Sequence, residues 1–220
     1  MMARPPAEDF YASIPGDYYV GSARSFNPIS AWYHASRFKA ISEIVSRLYR
    51  EGDEIVDLGC GGSLWNERKL PVVGVDLNPA ALAYGAENGF LCETKMANIE
   101  NGLPPSWAGR FAIAVLSEVI EHVASPGPLL SETHRILKPG GRLLITAPFD
   151  TPTSAWRYLF GLQCFLQGTV FGNEYYRHRC GHVQQFSRES LSALSSANGF
   201  ILESFRVRAR MNIVAVCVKR

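Results

Sequence analysis

The run Asp57-Leu-Gly-Cys-Gly-Gly-Ser63, DLGCGGS, follows the β-like stretch Glu54-Ile-Val-Asp-Leu58 and reads as the opening of a short helix. Glycines permit tight turning and close approach of a ligand to the backbone, and the amides of a helix start can meet polar ligand groups. The next strand pattern, Val72-Val-Gly-Val-Asp76, ends in an acid placed to accept hydrogen bonds from ribose hydroxyls. Strand, glycine loop, helix, strand and acid in this order predict an adenosine-containing cofactor at the carboxyl ends of a parallel sheet. A nicotinamide dinucleotide is the rival ligand, but its fingerprint needs a third glycine where this chain has Leu64. A glycine turn without any ligand is the plain alternative.

Working outward, further strand patterns occur at Phe111 to Leu116 and Arg142 to Thr146, with helical patterns between them at Pro79 to Asn88 and Pro128 to Leu137. Asn78-Pro79 has the order of an N-cap followed by proline in the first turn, and Lys138-Pro-Gly-Gly141 is a stop. Upstream, Asn27-Pro28 and the spacing of Trp32, Tyr33, Ile41, Ile44, Val45 and Leu48 predict one amphipathic helix from about Pro28 to Arg50. Alternating strands and helices give an α/β fold with a parallel sheet covered on both faces. At the end of the chain, a helix over Ser187 to Ala197 precedes strands Phe200 to Arg208 and Met211 to Lys219, which are too close in sequence to be parallel neighbours. The region from about Asp150 to Val183 reads as a long irregular connection and therefore as a functional candidate.

Bulk properties narrow the choices. A length of 220 residues, 47% hydrophobic residues and a net charge of +2 describe a globular chain with no electrostatic demand for nucleic acid. The five cysteines are scattered and form no C-x-x-C pair, which points to a reducing compartment. The first residues carry no apolar run of signal-peptide type, so a cytoplasmic location is expected.

Taken in order, VDLGCGGS, VVGVDLNPAAL, SEVIEHV and LKPGGRLLITAPF resemble class I S-adenosylmethionine-dependent methyltransferases over nearly the whole chain. The resemblance implies one domain over residues 1–220, with an N-terminal cap and helix over 1–50 and an acceptor-side insertion over 150–183. It also implies a Rossmann-like, seven-stranded, mostly parallel sheet with an antiparallel last strand. Carried over, Gly59, Cys60 and Gly61 lie against the methionine part of S-adenosyl-L-methionine and Asp57 holds its amino group. Asp76 binds the ribose and Leu77 lies against the adenine. Ala97-Asn-Ile-Glu-Asn-Gly-Leu-Pro104 resembles the family's adenine loop, with Asn98 where an acid is common and Ile99 beside it. Ser117 and Glu118 border the cofactor.

The stretch Ser117-Glu-Val-Ile-Glu-His122 supports two readings. If it starts a helical turn, Glu118, Glu121 and His122 share a face. On the first reading Glu121 and His122 merely begin a helix, where acids are favoured by the macrodipole, and no metal is assigned. On the second, these three and His182 form a cation site, resembling small-RNA 3'-terminal 2'-O-methyltransferases and ubiquinone-pathway O-methyltransferases. His122 and His182 are the candidate general bases for a hydroxyl acceptor.

The segment Ser154 to Gly168 is aromatic and aliphatic, and three readings stay open for it: a lid over an apolar acceptor, an interfacial helix for a lipid-linked acceptor, or core packing. Arg177, His178 and Arg179 are suited to an anionic group, whereas Arg206, Arg208 and Arg210 alternate as a solvated strand edge would. Asp17-Tyr-Tyr-Val20 and Trp32-Tyr-His34 are expected to close the site. The reading adopted is methyl transfer to a small-molecule or lipid-like acceptor, at oxygen, with possible peripheral membrane contact. The alternatives are metal-dependent methylation of an RNA 3' end and a non-catalytic cofactor-binding protein.

Overall fold

In the computed structural model, the described residues are 28–220 together with Pro15 and Val20. The expected cap at Asn27 and the segment Asp17 to Tyr19 lie outside the described residues. Helix α1 (Pro28–Leu48) is set by a stripe at Tyr33, Arg37, Ile41 and Val45, four residues apart, all of them buried.

The seven strands are β1 (Ile55–Leu58), β2 (Val72–Asp76), β3 (Glu93–Met96), β4 (Phe111–Ser117), β5 (Leu137–Pro148), β6 (Phe200–Arg208) and β7 (Asn212–Lys219). They are ordered β3-β2-β1-β4-β5-β7-β6. The first five pair in parallel, and β7 enters antiparallel between β5 and β6, as the short β6–β7 hairpin requires. The Rossmann-like mixed sheet expected from the sequence is therefore observed. Strand β3, Glu-Thr-Lys-Met, has no sequence signature because it is an edge strand with all four residues exposed.

Alternation along the strands sends side chains into two cores, one on each face of the sheet. Ile55, Val72, Ile113 and Val115 pack with Ile41 and Val45 of α1 and with Leu82 of α2 (Pro79–Glu87). On the other face Val56, Leu58, Val73 and Val75 pack with Leu129, Leu130 and Ile136 of α3 (Pro126–Ile136). Each such fully buried aliphatic side chain contributes about 1.5–3 kcal/mol. Asn78 caps α2 by accepting from the amides of Ala80 at 2.9 Å and Ala81 at 3.1 Å, so the Asn-Pro signal is structural.

The region expected to be an irregular connection is instead helical. It comprises α4 (Ala155–Cys164), a π-helical continuation (Phe165–Val170) and α5 (Glu174–Arg177). Ser154 caps α4 by accepting from the Arg157 amide at 3.1 Å. The final helix, α6 (Arg188–Ala197), starts at a capping box between Ser187 and Ser190.

Candidate active site

The carboxyl ends of β1 and β4 open into a cleft lined by Arg37, Asp57, Gly59, Cys60, Gly61, Ser117 and Glu118. No helix follows β1, contrary to the sequence expectation. Residues 59–69 form successive turns in which Ser63 N donates to Cys60 O at 2.8 Å, Asn66 N to Ser63 O at 2.8 Å and Lys69 N to Asn66 O at 3.0 Å. The buried Asn66 side chain replaces helical bonding by donating to Leu70 O at 2.9 Å and Phe90 O at 2.8 Å. Gly59 has φ +69, and a Cβ there would stand 2.6 Å from Val119, so the loop approaches β4's end only with glycine.

Asp57 is 1% exposed. Its Oδ2 accepts from the Ser63 hydroxyl at 2.6 Å and the Trp65 indole N–H at 2.7 Å. Its Oδ1 is buried with no hydrogen-bond partner among the described residues. Burial pushes its pKa up to about 7, against the lowering effect of those two donors.

Asp76 accepts from Gly61 N at 2.8 Å and Asn78 N at 2.9 Å, which ties the glycine loop to the end of β2. Burial raises its pKa and these amides pull it down. Leu77 follows, partly exposed, and Ala97 N donates to Asp76 O at 3.1 Å, bringing the 97–99 segment alongside. Asn98 caps the short turn Ile99–Asn101 by accepting from Glu100 N at 2.9 Å. The sequence-selected groups thus meet along one edge of the sheet.

Glu118 is not at the start of a helix. Its φ is +55 and the segment that follows is a turn at residues 120–122 rather than a helix, so the shared helical face expected for Glu118, Glu121 and His122 does not form. The Glu118 carboxylate instead accepts from Tyr33 OH at 2.6 Å, Asn212 Nδ2 at 2.9 Å and Thr146 Oγ1 at 3.2 Å, and pairs with Arg37 at 3.4 Å. Burial, with the Glu118 charge second, raises the Tyr33 pKa well above its ordinary value. Sequence reasoning missed Arg37 and Asn212. Arg37 was detectable as a cation on the buried stripe of α1, whereas Asn212 carried no signal.

Glu121, His122 and His182 do come together, with one ligand atom from each lying within 4.8 Å of the others. Backbone bonds from Val183 N at 2.9 Å and Gln184 N at 3.0 Å to Glu121 O hold the two segments side by side. Glu121 is 2% exposed and neither carboxyl oxygen has a hydrogen-bond partner among the described residues. Burial, and secondarily Glu118, drives its pKa well up, while burial lowers that of His122. A roof of stacked rings covers the cluster: Tyr33 to Trp156 at 4.9 Å, Trp156 to Phe160 at 4.7 Å and Phe160 to His182 at 5.1 Å.

The basic expectations divide. Arg177 Nε donates to Gly168 O at 2.9 Å, and the Arg179 side chain lies outside the described residues. Arg206 and Arg208 are on the edge strand β6, but Arg210 has φ +56 in the hairpin turn and so breaks the alternation.

A family model described as a methyltransferase domain matches residues 33–204. A ubiquinone biosynthesis O-methyltransferase from Xanthomonas oryzae pv. oryzae is 25% identical over 81% of this chain and 79% of its own length. A possible exported protein from Bordetella parapertussis has a TM-score of 0.71 at 16% identity, covering 95% of this chain and 80% of that one. The 1,6-didemethyltoxoflavin-N1-methyltransferase of Burkholderia thailandensis, with bound 1,6-didemethyltoxoflavin and S-adenosylhomocysteine, has a TM-score of 0.63 at 18% identity, covering 100% of this chain and 93% of that one. These structural likenesses concern the fold.

Proposed function

Since the chain belongs to the methyltransferase domain family, as a class I enzyme dependent on S-adenosylmethionine, we propose that it methylates a hydroxyl of a small, lipid-like acceptor. When bound, the cofactor supplies a methyl group already activated on a sulfonium. The protein's task is to hold both partners in line and keep water out.

The residues present fit that cofactor. Two buried polar atoms of opposite sign line one cleft without hydrogen-bond partners among the described residues: Asp57 Oδ1 and Arg37 Nε. An α-amino acid end would satisfy both, its ammonium at Asp57 and its carboxylate at Arg37. Gly59, Cys60 and Gly61 would bound the methionine chain, Asp76 would accept from the ribose hydroxyls, and Leu77, Asn98 and Ile99 would border the adenine. Ser117 would stand between cofactor and acceptor. Glu118, fully engaged by four partners, would act by holding Arg37 and α1 in place.

The acceptor reading is carried by one observation, the His122–His182 pair under an aromatic roof, ring centroids 4.8 Å apart. Burial favours the neutral form of His122, so an imidazole is available to take the hydroxyl proton as the methyl arrives. A hydroxyl acceptor also agrees with the O-methyltransferase relatives.

A second reading is favoured by Glu121. A buried carboxyl whose two oxygens have no hydrogen-bond partner among the described residues, with His122 Nε2 3.9 Å from Oε1, either keeps a proton or faces a cation. Glu121, His122 and His182 would hold a divalent ion, which would acidify the acceptor hydroxyl. Methyl-labelled S-adenosylmethionine incubated with the protein and a cell extract, with and without chelator, tests both. Label in the organic fraction supports the lipid-like acceptor, and label in RNA defeats it. Chelator sensitivity decides between a bound ion and a histidine base acting without metal.

A further inference from the structure

We propose that the outer face of α4 and its π-helical continuation docks on an anionic lipid bilayer. Trp156, Phe160 and Cys164, four residues apart, point inward and pack as a small core with Cys180. The opposite stripe is also apolar but exposed: Tyr158 is 66% accessible, Leu162 56%, Phe165 56%, Leu166 41% and Val170 58%, and Phe171 just beyond is 73% accessible. A helix apolar on both faces is buried on both faces in its working state. The sixteen residues of this helical run (155–170) are too few to cross a bilayer, and no described helix is long and apolar enough to do so.

Charge selects the occupant. Exposed cations bracket the stripe. At its start, the Arg210 guanidinium donates to the Thr153 carbonyl, and the Arg157 side chain is 46% exposed. At its far end stands Arg177, bonded to Gly168 O at 2.9 Å. Among the described side chains of residues 150–183 the one acid, Asp150, is only 9% exposed and faces Arg157 at 3.9 Å. Apolar side chains flanked by arginines, with no exposed acid among the described side chains between them, suit the boundary between acyl chains and anionic headgroups. The inner face of the same helix carries Phe160, stacked on His182, so a lipid-borne acceptor would reach the histidines from the layer on which the helix rests.

This proposal rests on the lipid-like acceptor reading, and its test is independent of catalysis. The full chain is sedimented with phosphatidylcholine vesicles and with vesicles containing phosphatidylglycerol, as wild type and as Leu162→Glu/Phe165→Glu. S-adenosylmethionine affinity is measured on the same samples. The expected result is binding at least about tenfold stronger to the anionic vesicles, weakened by salt and lost in the variant, with cofactor affinity unchanged. Absence of vesicle binding, or binding that the variant leaves intact, overturns the proposal. So does a wild-type dimer that the variant converts to monomer without vesicle binding, because the stripe is then a subunit interface. Any of these outcomes with intact cofactor affinity leaves the methyltransferase reading standing.

Discussion

The Tyr33 hydroxyl donates to Glu118 Oε2 at 2.6 Å, fastening α1 to the residue that follows β4. The partners are 85 residues apart in sequence, and Arg37 and Asn212 meet the same carboxylate. Tyr33→Phe should therefore lower stability in urea unfolding by about 1–3 kcal/mol, as expected for a buried bond to a charged group. Glu118→Ala should cost more, about 3–5 kcal/mol, because it leaves the Arg37 guanidinium buried and unpaired. Equal, negligible losses would mean that α1 is held by its apolar stripe alone.

Asp57 gives the cofactor-free protein a pH signature. Its pKa rises from 3.8 to about 7 on folding, so between these values the folded state keeps a proton that the unfolded chain has released. Stability contributed through this group accordingly falls as pH rises from about 4 to 7, by up to about 1.4 kcal/mol per unit. Cofactor affinity should run the other way, increasing to about pH 7 and then levelling as ionised Asp57 meets the ammonium. Asp57→Asn should flatten both profiles in calorimetry. Trp65→Phe, which removes a donor to Oδ2, should move the affinity profile to higher pH.

Arg37→Gln should weaken binding of S-adenosylmethionine by about tenfold or more while changing little for its decarboxylated analogue. Titration calorimetry with both ligands gives the answer. Parallel losses for the two would remove the carboxylate role and leave Arg37 as a partner of Glu118 only.

Asp76→Ala should reduce cofactor affinity by about 10- to 100-fold, since it removes hydrogen bonds to a charged acceptor and frees the Gly61 amide. Unchanged affinity would place the ribose elsewhere.

For His182→Ala the expected outcome is a drop in turnover of about 10²- to 10⁴-fold at unaltered cofactor affinity. Full activity with the labelled acceptor would exclude His182 both as base and as ion ligand.

Local patterns in the sequence were sufficient for most of the fold. Periodicity announced α1, β1, β2 and β4, Asn78-Pro79 announced α2, and the short β6–β7 connection forced an antiparallel pair. These features follow from dihedral preferences, capping and side-chain alternation, which a few neighbouring residues decide. Strand β3 escaped because an exposed edge strand needs no apolar alternation. The helix expected after the glycine loop gave way to turns because the Asn66 side chain takes up backbone groups that a helix would pair.

At the site, sequence determined which groups were available and tertiary structure decided which of them meet. SEVIEHV supplied two acids and a histidine at helical spacing, yet the positive φ of Glu118 sends its carboxylate to Tyr33, Arg37 and Asn212. Glu121 and His122 are left to join His182, sixty residues further along the chain. Spacing can place side chains on a shared face only while the backbone stays regular. Once it leaves the helix, partners from distant segments are set by packing and by the need to pair buried charge.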